Sequence, residues 1–121
     1  MNYRKHQANV RALGCCVCRT TEQVTFHHIK SGSVTEFFGY DLSPGTGQKQ
    51  NEFLGLPLCM HHHVYDLGID SGMGVFEWEM VFGSQVYYLK WVNSKLDYDV
   101  FDMAGVPNPF QKDTQTIGGI N

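Results

Sequence analysis

Residues 56–63 read Leu-Pro-Leu-Cys-Met-His-His-His, an apolar run that changes abruptly into a cysteine followed by three histidines. Cys59 and His62 form a Cys-x-x-His pair, and Cys15 and Cys18 form a Cys-x-x-Cys pair earlier in the chain. Two such pairs supply the four ligands of a tetrahedral zinc site, because a two-residue gap lets both side chains of a pair reach one ion. The sequence therefore predicts a structural zinc held by Cys15, Cys18, Cys59 and His62. Cys16 could replace either neighbour in the first pair.

The alternative interpretations of these cysteines are a redox pair and simple buried thiols. A thioredoxin-like pair belongs to a strand-to-helix turn in a parallel sheet, which this sequence does not predict. The polar N-terminal segment and the lack of a long apolar run predict a cytoplasmic protein without a membrane span. Thiols stay reduced in that compartment, which favours metal binding over disulfides.

The 121 residues, of which 42% are hydrophobic and 17% charged, fit one globular domain. Hydrophobic periodicity and turn residues predict an α+β fold in which a β-hairpin is followed by a helix. The predicted helices cover 3–13, 60–67, 75–82 and 86–96, the predicted strands 23–29 and 53–58, and a long loop 31–51. Residues 1–98 are the expected domain, and residues 99–121 the expected loosely packed C-terminal tail.

The charge distribution is uneven along the chain. The net charge of −3 argues mildly against a polyanionic partner, because phosphate neutralisation usually dominates nucleic-acid affinity. The first 31 residues are nevertheless basic, and the remainder is acidic. The candidate phosphate contacts in the basic part are Arg4, Lys5, Arg11 and Lys30. An ordinary mixed surface is the alternative interpretation.

Four further histidines, His27, His28, His61 and His63, exceed what one closed zinc site can use. They predict a second, open metal site. Adjacent residues of a strand point to opposite faces, so one member of the His27-His28 pair can bind an ion while the other accepts a proton from water. This division of roles suits metal-assisted hydrolysis.

The segments Phe26-His27-His28-Ile29 and 56–63, with Leu13-Gly14-Cys15, Cys18 and the segment 78–85, resemble the HNH (ββα-metal) endonucleases. Within that superfamily the chain looks most similar to the phage Ref-type, RecA-dependent recombination nucleases. The resemblance implies a zinc-stabilised ββα-metal core with flanking helices that hydrolyses DNA, with a recombinase filament as a further partner. It also implies His27 and His63 as ligands of a catalytic ion and His28 as the general base.

One position departs from the family pattern. Where the family commonly has a histidine in a Gly-Ile-His-like segment, this chain has Gly68-Ile69-Asp70. An aspartate still binds Mg²⁺ or Mn²⁺, and Zn²⁺ is a third option for the same site. Glu52, at a position often acidic in the family, is a second candidate ligand, and His61 is expected to face solvent. The departure leaves open a non-catalytic zinc module that binds nucleic acid or a recombination protein, whereas a metallopeptidase is disfavoured because His-Glu-x-x-His is absent.

Overall fold

The computed structural model describes residues 1–38, 52–108 and 110. In chain order its elements are α1 (Tyr3–Arg11), β1 (Val24–His28), α2 (Ser33–Phe38), β2 (Gly55–Cys59), α3 (Met60–His63), α4 (Val75–Phe82), α5 (Gln85–Lys95) and α6 (Val100–Ala104). None of the described helices is both long enough and apolar enough to cross a membrane. The chain is thus a small α+β protein, and the predicted order of hairpin followed by helix is confirmed.

Strands β1 and β2 form a two-stranded antiparallel sheet in which His27 pairs with Leu56 and His28 with Gly55. Side chains alternate between the two faces of a strand. Phe26 contacts His6 of α1, with ring centroids 5.9 Å apart, so α1 covers that face. Thr25 and His27 point the other way, towards α3 and α5. The sheet therefore has a helix on each side, and the histidine cluster forms on the Thr25–His27 side.

The hydrophobic core surrounds β2, all five residues of which are buried. This complete burial explains why residues 55–59 form a continuous apolar run without alternation. Helices α4, α5 and α6 contribute the large side chains Trp78, Leu89 and Phe101, each fully buried. Burying such side chains stabilises the fold by about 1.5–3 kcal/mol each before the entropy cost is counted.

Local capping residues define the helix ends. Asn2 accepts a hydrogen bond from the backbone N–H of Lys5 at 2.8 Å and begins α1. Ser84 accepts from the backbone N–H of Tyr87 at 3.0 Å, so α5 begins at the next residue, Gln85. These are side chains that favour the first position of a helix because they satisfy otherwise unpaired N–H groups.

The C-terminal part of the chain differs from the prediction of a loose tail after residue 98. Residues Val100–Ala104 form α6, and Val100, Phe101 and Ala104 belong to the core. Asp99 caps this helix by accepting from Phe101 N–H at 2.9 Å, and Asn93 of α5 accepts from Val100 N–H at 2.8 Å. Five residues are too few to show helical periodicity, which is why the pattern was missed. The remaining tail beyond 110 lies outside the described residues.

The predicted loop over residues 31–51 is also partly wrong. Its first part forms α2, a helix of six residues in which Val34 is fully buried. This helix ends at Phe38. Residues 39–51 lie outside the part of the chain that the structure describes.

Candidate metal centres

Four predicted ligands converge on one point between the N-terminal turn and the end of β2. The Sγ and Nδ1 atoms of Cys15, Cys18, Cys59 and His62 all lie within 4.8 Å of one another. The Sγ atoms of Cys18 and Cys59 are 3.8 Å apart, and Cys15 Sγ is 3.8 Å from His62 Nδ1. A tetrahedron with metal–sulfur bonds of about 2.3 Å has edges of about 3.8 Å. This Cys₃His cluster could therefore hold a metal such as zinc.

A tight turn brings the first two cysteines together. Gly14 has a φ of +87°, and a Cβ there would lie 3.2 Å from the carbonyl oxygen of Thr20. Cys15 N–H donates to that same oxygen at 2.9 Å, and Arg19 N–H donates to Cys15 O at 2.8 Å. The backbone thus closes around residues 15–20 and directs both thiols towards Cys59.

The thiol environment separates Cys16 from its neighbours. Burial opposes a charge on Cys15, but hydrogen bonds from the backbone of Cys18, Cys59 and Val17 outweigh it and lower the pKa of Cys15. Burial and the nearby Cys15 charge raise the pKa of Cys59 to about 11. Burial also raises the pKa of Cys16, which lies outside the cluster. The geometry favours Cys15 and Cys18 as the first pair, because the ligand cluster contains their thiols and not that of Cys16.

A second group of potential ligands contains His27, His63 and Asp70, which we call the His₂Asp cluster. His63 Nε2 lies 2.8 Å from Asp70 Oδ2, and His27 Nδ1 lies 3.5 Å from the same oxygen. The backbone turns back after α3, and the N–H of Asp70 donates to the carbonyl oxygen of His63 at 2.8 Å. Gly68 permits this return, since a Cβ at Gly68 would lie 2.6 Å from His63 O.

Gln85 determines which nitrogen of His27 faces the cluster. Its Oε1 lies 2.9 Å from His27 Nε2, while its Nε2 donates to the carbonyl oxygen of Lys30 at 2.8 Å. Because Oε1 can only accept, His27 Nε2 carries the proton and Nδ1 is left with its lone pair. His27 Nδ1 is fully buried and has no hydrogen-bond partner within the described residues.

Thr25 orients His63 in the same way. The Thr25 hydroxyl donates to Leu58 O at 2.7 Å, and its oxygen lies 2.6 Å from His63 Nδ1. A hydroxyl has one proton, so the oxygen must accept from His63 Nδ1. When the ring is neutral, His63 Nε2 therefore carries its lone pair on the side of Asp70, 2.8 Å from its Oδ2.

The two imidazole lone pairs and the Asp70 carboxylate converge without a donor of their own. Such a group of acceptors is unfavourable unless a cation or an added proton lies among them. Lys30 supplies part of the missing charge, with Nζ 2.9 Å from Asp70 Oδ1 at the outer side. Burial opposes ionisation of Asp70, but its polar contacts with the side chains of His27, His63 and Lys30 outweigh burial and lower its pKa. The unpartnered Nδ1 of His27 shows that the donor set fits a metal ion.

His28 stands next to this cluster but outside it. Its half-buried ring packs against Phe26 with centroids 5.1 Å apart. Gly55 pairs with His28 across the sheet. It leaves space for Phe26, because a Cβ at Gly55 would lie 2.2 Å from the phenyl ring. Burial lowers the pKa of His28, while the charge of Glu52 acts in the opposite direction. A neutral imidazole near an ion site is the form that can accept a proton.

Most of the remaining predicted site residues lie away from the two clusters. Glu52 belongs to neither ligand group, and its carboxylate instead accepts from Gln7 at 3.3 Å. The prediction of Glu52 as a ligand is therefore corrected to a charged neighbour of His28. His61 is exposed, as expected. Of the predicted phosphate contacts, Lys30 lies at the His₂Asp cluster, whereas Arg4, Lys5 and Arg11 are exposed on α1.

The structure adds positioning residues that the sequence analysis did not identify. Gln85 and Thr25 orient the two histidines, and Trp78 donates to His62 O at 3.1 Å. Glu79 accepts hydrogen bonds from Ser33 N at 2.8 Å and Gln85 N at 2.7 Å. Trp78, Glu79 and Gln85 all lie in the segment 78–85 that carries part of the family resemblance, which was the available signal.

Comparison with known proteins gives no match to any family model, curated protein or solved structure.

Proposed function

We propose that this chain is a metal-dependent DNA endonuclease of the HNH (ββα-metal) type. The observation that carries the proposal is the buried, unpartnered Nδ1 of His27, which faces Asp70 and His63, one residue before His28 on β1. The hairpin β1–β2 followed directly by α3 is the order that the proposed fold requires. His62 and His63 are consecutive in α3, so one helical turn serves both clusters.

The residues divide the work of phosphodiester hydrolysis. His27, His63 and Asp70 would hold a divalent ion, which when bound supplies positive charge at the scissile phosphate. His28 accepts the proton of the attacking water, because its lowered pKa keeps the ring neutral near pH 7. Lys30, whose side chain is 47% exposed, contacts a phosphate oxygen from the solvent side. The Cys₃His cluster holds structural zinc.

The donor set also bears on the choice of catalytic ion. Mg²⁺ prefers oxygen ligands, whereas two imidazoles with one carboxylate suit Mn²⁺ or Zn²⁺ better. We therefore expect Mn²⁺ to support more activity than Mg²⁺. The acidic remainder of the chain makes unaided DNA affinity weak, so we propose that a partner such as a DNA-bound recombinase filament delivers the substrate.

A nicking assay tests the proposal. Supercoiled DNA is incubated with the zinc-loaded protein and Mn²⁺, and the His28→Ala and His61→Ala variants are compared. His28→Ala should lower the nicking rate by about a hundredfold or more, since a general base contributes about 10²–10⁴ to a rate. His61→Ala is the matched control, because His61 is exposed and belongs to neither ligand group. Equal rates for wild type and His28→Ala would overturn the assignment of the base.

The Lys30–Asp70 ion pair favours one alternative, a non-catalytic zinc module that binds nucleic acid. In that case Lys30 neutralises Asp70 and no ion is required at the His₂Asp cluster. The Lys30→Gln variant separates the two functions. A nuclease should keep or gain Mn²⁺ affinity when this competing cation is removed, whereas a binding module shows neither Mn²⁺ binding nor nicking in any variant.

A further inference from the structure

The outward face of α5 carries aromatic and basic side chains. Tyr87, Lys90, Trp91 and Ser94 line a shallow cleft of about 300 Å³. Their spacing places them on one side of the helix, while Gln85, Val86, Leu89 and Val92 are buried on the other. The ring of Tyr87, on the outward side of this helix, is 66% exposed. We call Arg19, Tyr87, Lys90, Trp91, Ser94 and Lys95 the α5 face.

Three cations of this face lie near aromatic rings. Arg19 Cζ lies 4.3 Å from the ring centroid of Trp91, and Lys95 Nζ lies 5.9 Å from it. Lys90 Nζ lies 5.5 Å from the ring of Phe110. In the described part of the chain every ion pair involves Asp70, so none of these three cations is paired with a carboxylate there. Their charges remain available to an anionic ligand.

We propose that the α5 face binds single-stranded DNA. A strand without a complement offers phosphates to Arg19, Lys90 and Lys95 and an unstacked base to Trp91 or Tyr87, which is the combination that such surfaces use. A duplex keeps its bases stacked and would use only the cations. An acidic peptide would likewise leave the exposed ring of Tyr87 and the half-buried ring of Trp91 without a stacking partner.

The position of the face connects it with the proposed nuclease site. Helix α5 begins at Gln85, which contacts His27, and Tyr87 follows two residues later. From Tyr87 to Lys95 the helix rises about 12 Å, enough for a short piece of strand. Tyr87 and Lys90 also line a second cleft of about 520 Å³ that contains Phe37 and one acid, Glu36. This inference rests on the proposed function, because it supplies the DNA strand of that same site.

Intrinsic fluorescence gives a direct readout of the contact. The chain has two tryptophans, and Trp78 is fully buried and bonded to His62. Quenching by a DNA strand of about 15 nucleotides should therefore report Trp91 stacking. The titration uses the zinc-loaded His28→Ala protein at low salt without added Mn²⁺, so that cleavage does not interfere. Fluorescence anisotropy of a labelled strand measures affinity in the same conditions.

Variants then separate stacking from charge. Trp91→Leu should weaken strand binding about tenfold and abolish the quenching, whereas Trp91→Phe should retain most of the affinity. Lys90→Gln with Lys95→Gln should reduce the salt slope by about 1.4, since each phosphate contact on a single strand contributes about 0.7. His61→Ala, which changes an exposed side chain outside both clusters and outside the α5 face, is the control and should leave the quenching intact.

The outcomes distinguish this inference from the proposed function. Tight binding to duplex with no quenching by single strands, or binding unaffected by Trp91→Leu and by the lysine pair, overturns the inference even if nicking is observed. Quenching that depends on Trp91 supports it even if no variant cleaves DNA. Zinc content and circular dichroism of each variant confirm that the fold is intact.

Discussion

The Nε2 atom of His27 lies 2.9 Å from Oε1 of Gln85, and this contact leaves Nδ1 of His27 as a buried lone pair facing Asp70. The two residues are 58 positions apart in sequence. Gln85 is itself fully buried, and its other amide atom is bonded to Lys30 O. Gln85 lies outside the ligand cluster, yet its hydrogen bond determines that Nδ1 of His27, and not Nε2, faces the cluster.

Replacing Gln85 should weaken the His₂Asp cluster without affecting the zinc cluster. In Gln85→Leu the His27 ring loses its acceptor, so we expect Mn²⁺ affinity to fall about 10–100-fold, as is typical when the partner of a ligand is removed. Gln85→Glu keeps an acceptor for His27 and should lose less. Isothermal titration with Mn²⁺, together with the zinc content, measures both sites. An unchanged Mn²⁺ affinity in Gln85→Leu would refute this positioning role.

Asp70 should determine both the affinity and the preference of the second site. Asp70→Asn removes the negative charge while preserving the side-chain shape, so Mn²⁺ binding should fall at least about a hundredfold. Asp70→His provides a third imidazole, as the family pattern has, and should shift preference from Mn²⁺ towards Zn²⁺ or Co²⁺. Competition titrations with these ions give the order. If Asp70→Asn binds Mn²⁺ as well as wild type does, the carboxylate is a bystander.

Loss of one cysteine ligand should disrupt the His₂Asp cluster as well as the Cys₃His cluster. Cys59→Ser breaks the Cys₃His cluster and releases α3, which carries His63, so both metal clusters should be lost. We expect a loss of at least about 3 kcal/mol of stability, since structural zinc contributes directly to folding, and a fall in Tm of more than about 10 °C. Cys16→Ala is the matched control, because Cys16 is buried but outside the cluster, and its zinc content should be unchanged. Calorimetry and elemental analysis make the comparison, and a zinc-free Cys16→Ala protein would contradict the ligand assignment.

His6 should contribute a pH dependence of stability that is separate from the metal sites. The ring is fully buried between Tyr98 Oη and Phe53 O, each 2.8 Å from a ring nitrogen, and burial lowers its pKa below 6.5 while the bond to Phe53 opposes this. Below pH 6.5 the unfolded chain therefore binds the proton first. The stability that His6 contributes is present above pH 6.5 and is lost as the pH falls towards the folded-state pKa.

The His6→Gln variant isolates this contribution. It should be less stable than wild type at neutral pH, but its free energy of unfolding should fall less steeply just below pH 6.5. Urea denaturation of both proteins across that interval, with zinc present, gives the difference in slope. Parallel curves would show that His6 does not titrate as its burial requires.

The cysteine and histidine ligands could be predicted from sequence because their spacing alone restricts the geometry. Cys15 and Cys18, like Cys59 and His62, form a pair with two residues between its members, whereas His27 is implied by the family resemblance and Asp70 stands where the family has a histidine. Gln85 and Thr25 could not be predicted, since their roles depend on the register of β1 with β2 and on the packing of α5. Glu52 shows the converse, because the family pattern makes it a candidate ligand, whereas its carboxylate contacts Gln7. Helix α6 was missed because its signal is a local cap and a few buried residues.

Counting the metal ions tests the central claim most directly. Zinc-loaded protein is dialysed, analysed for its elements, and titrated with Mn²⁺, alongside His27→Ala and Cys18→Ser. We predict that wild type retains one tightly bound zinc and takes up one exchangeable ion, that His27→Ala loses only the exchangeable ion, and that Cys18→Ser loses the zinc. A folded protein that retains no zinc, or Mn²⁺ binding that persists in His27→Ala, would contradict the account.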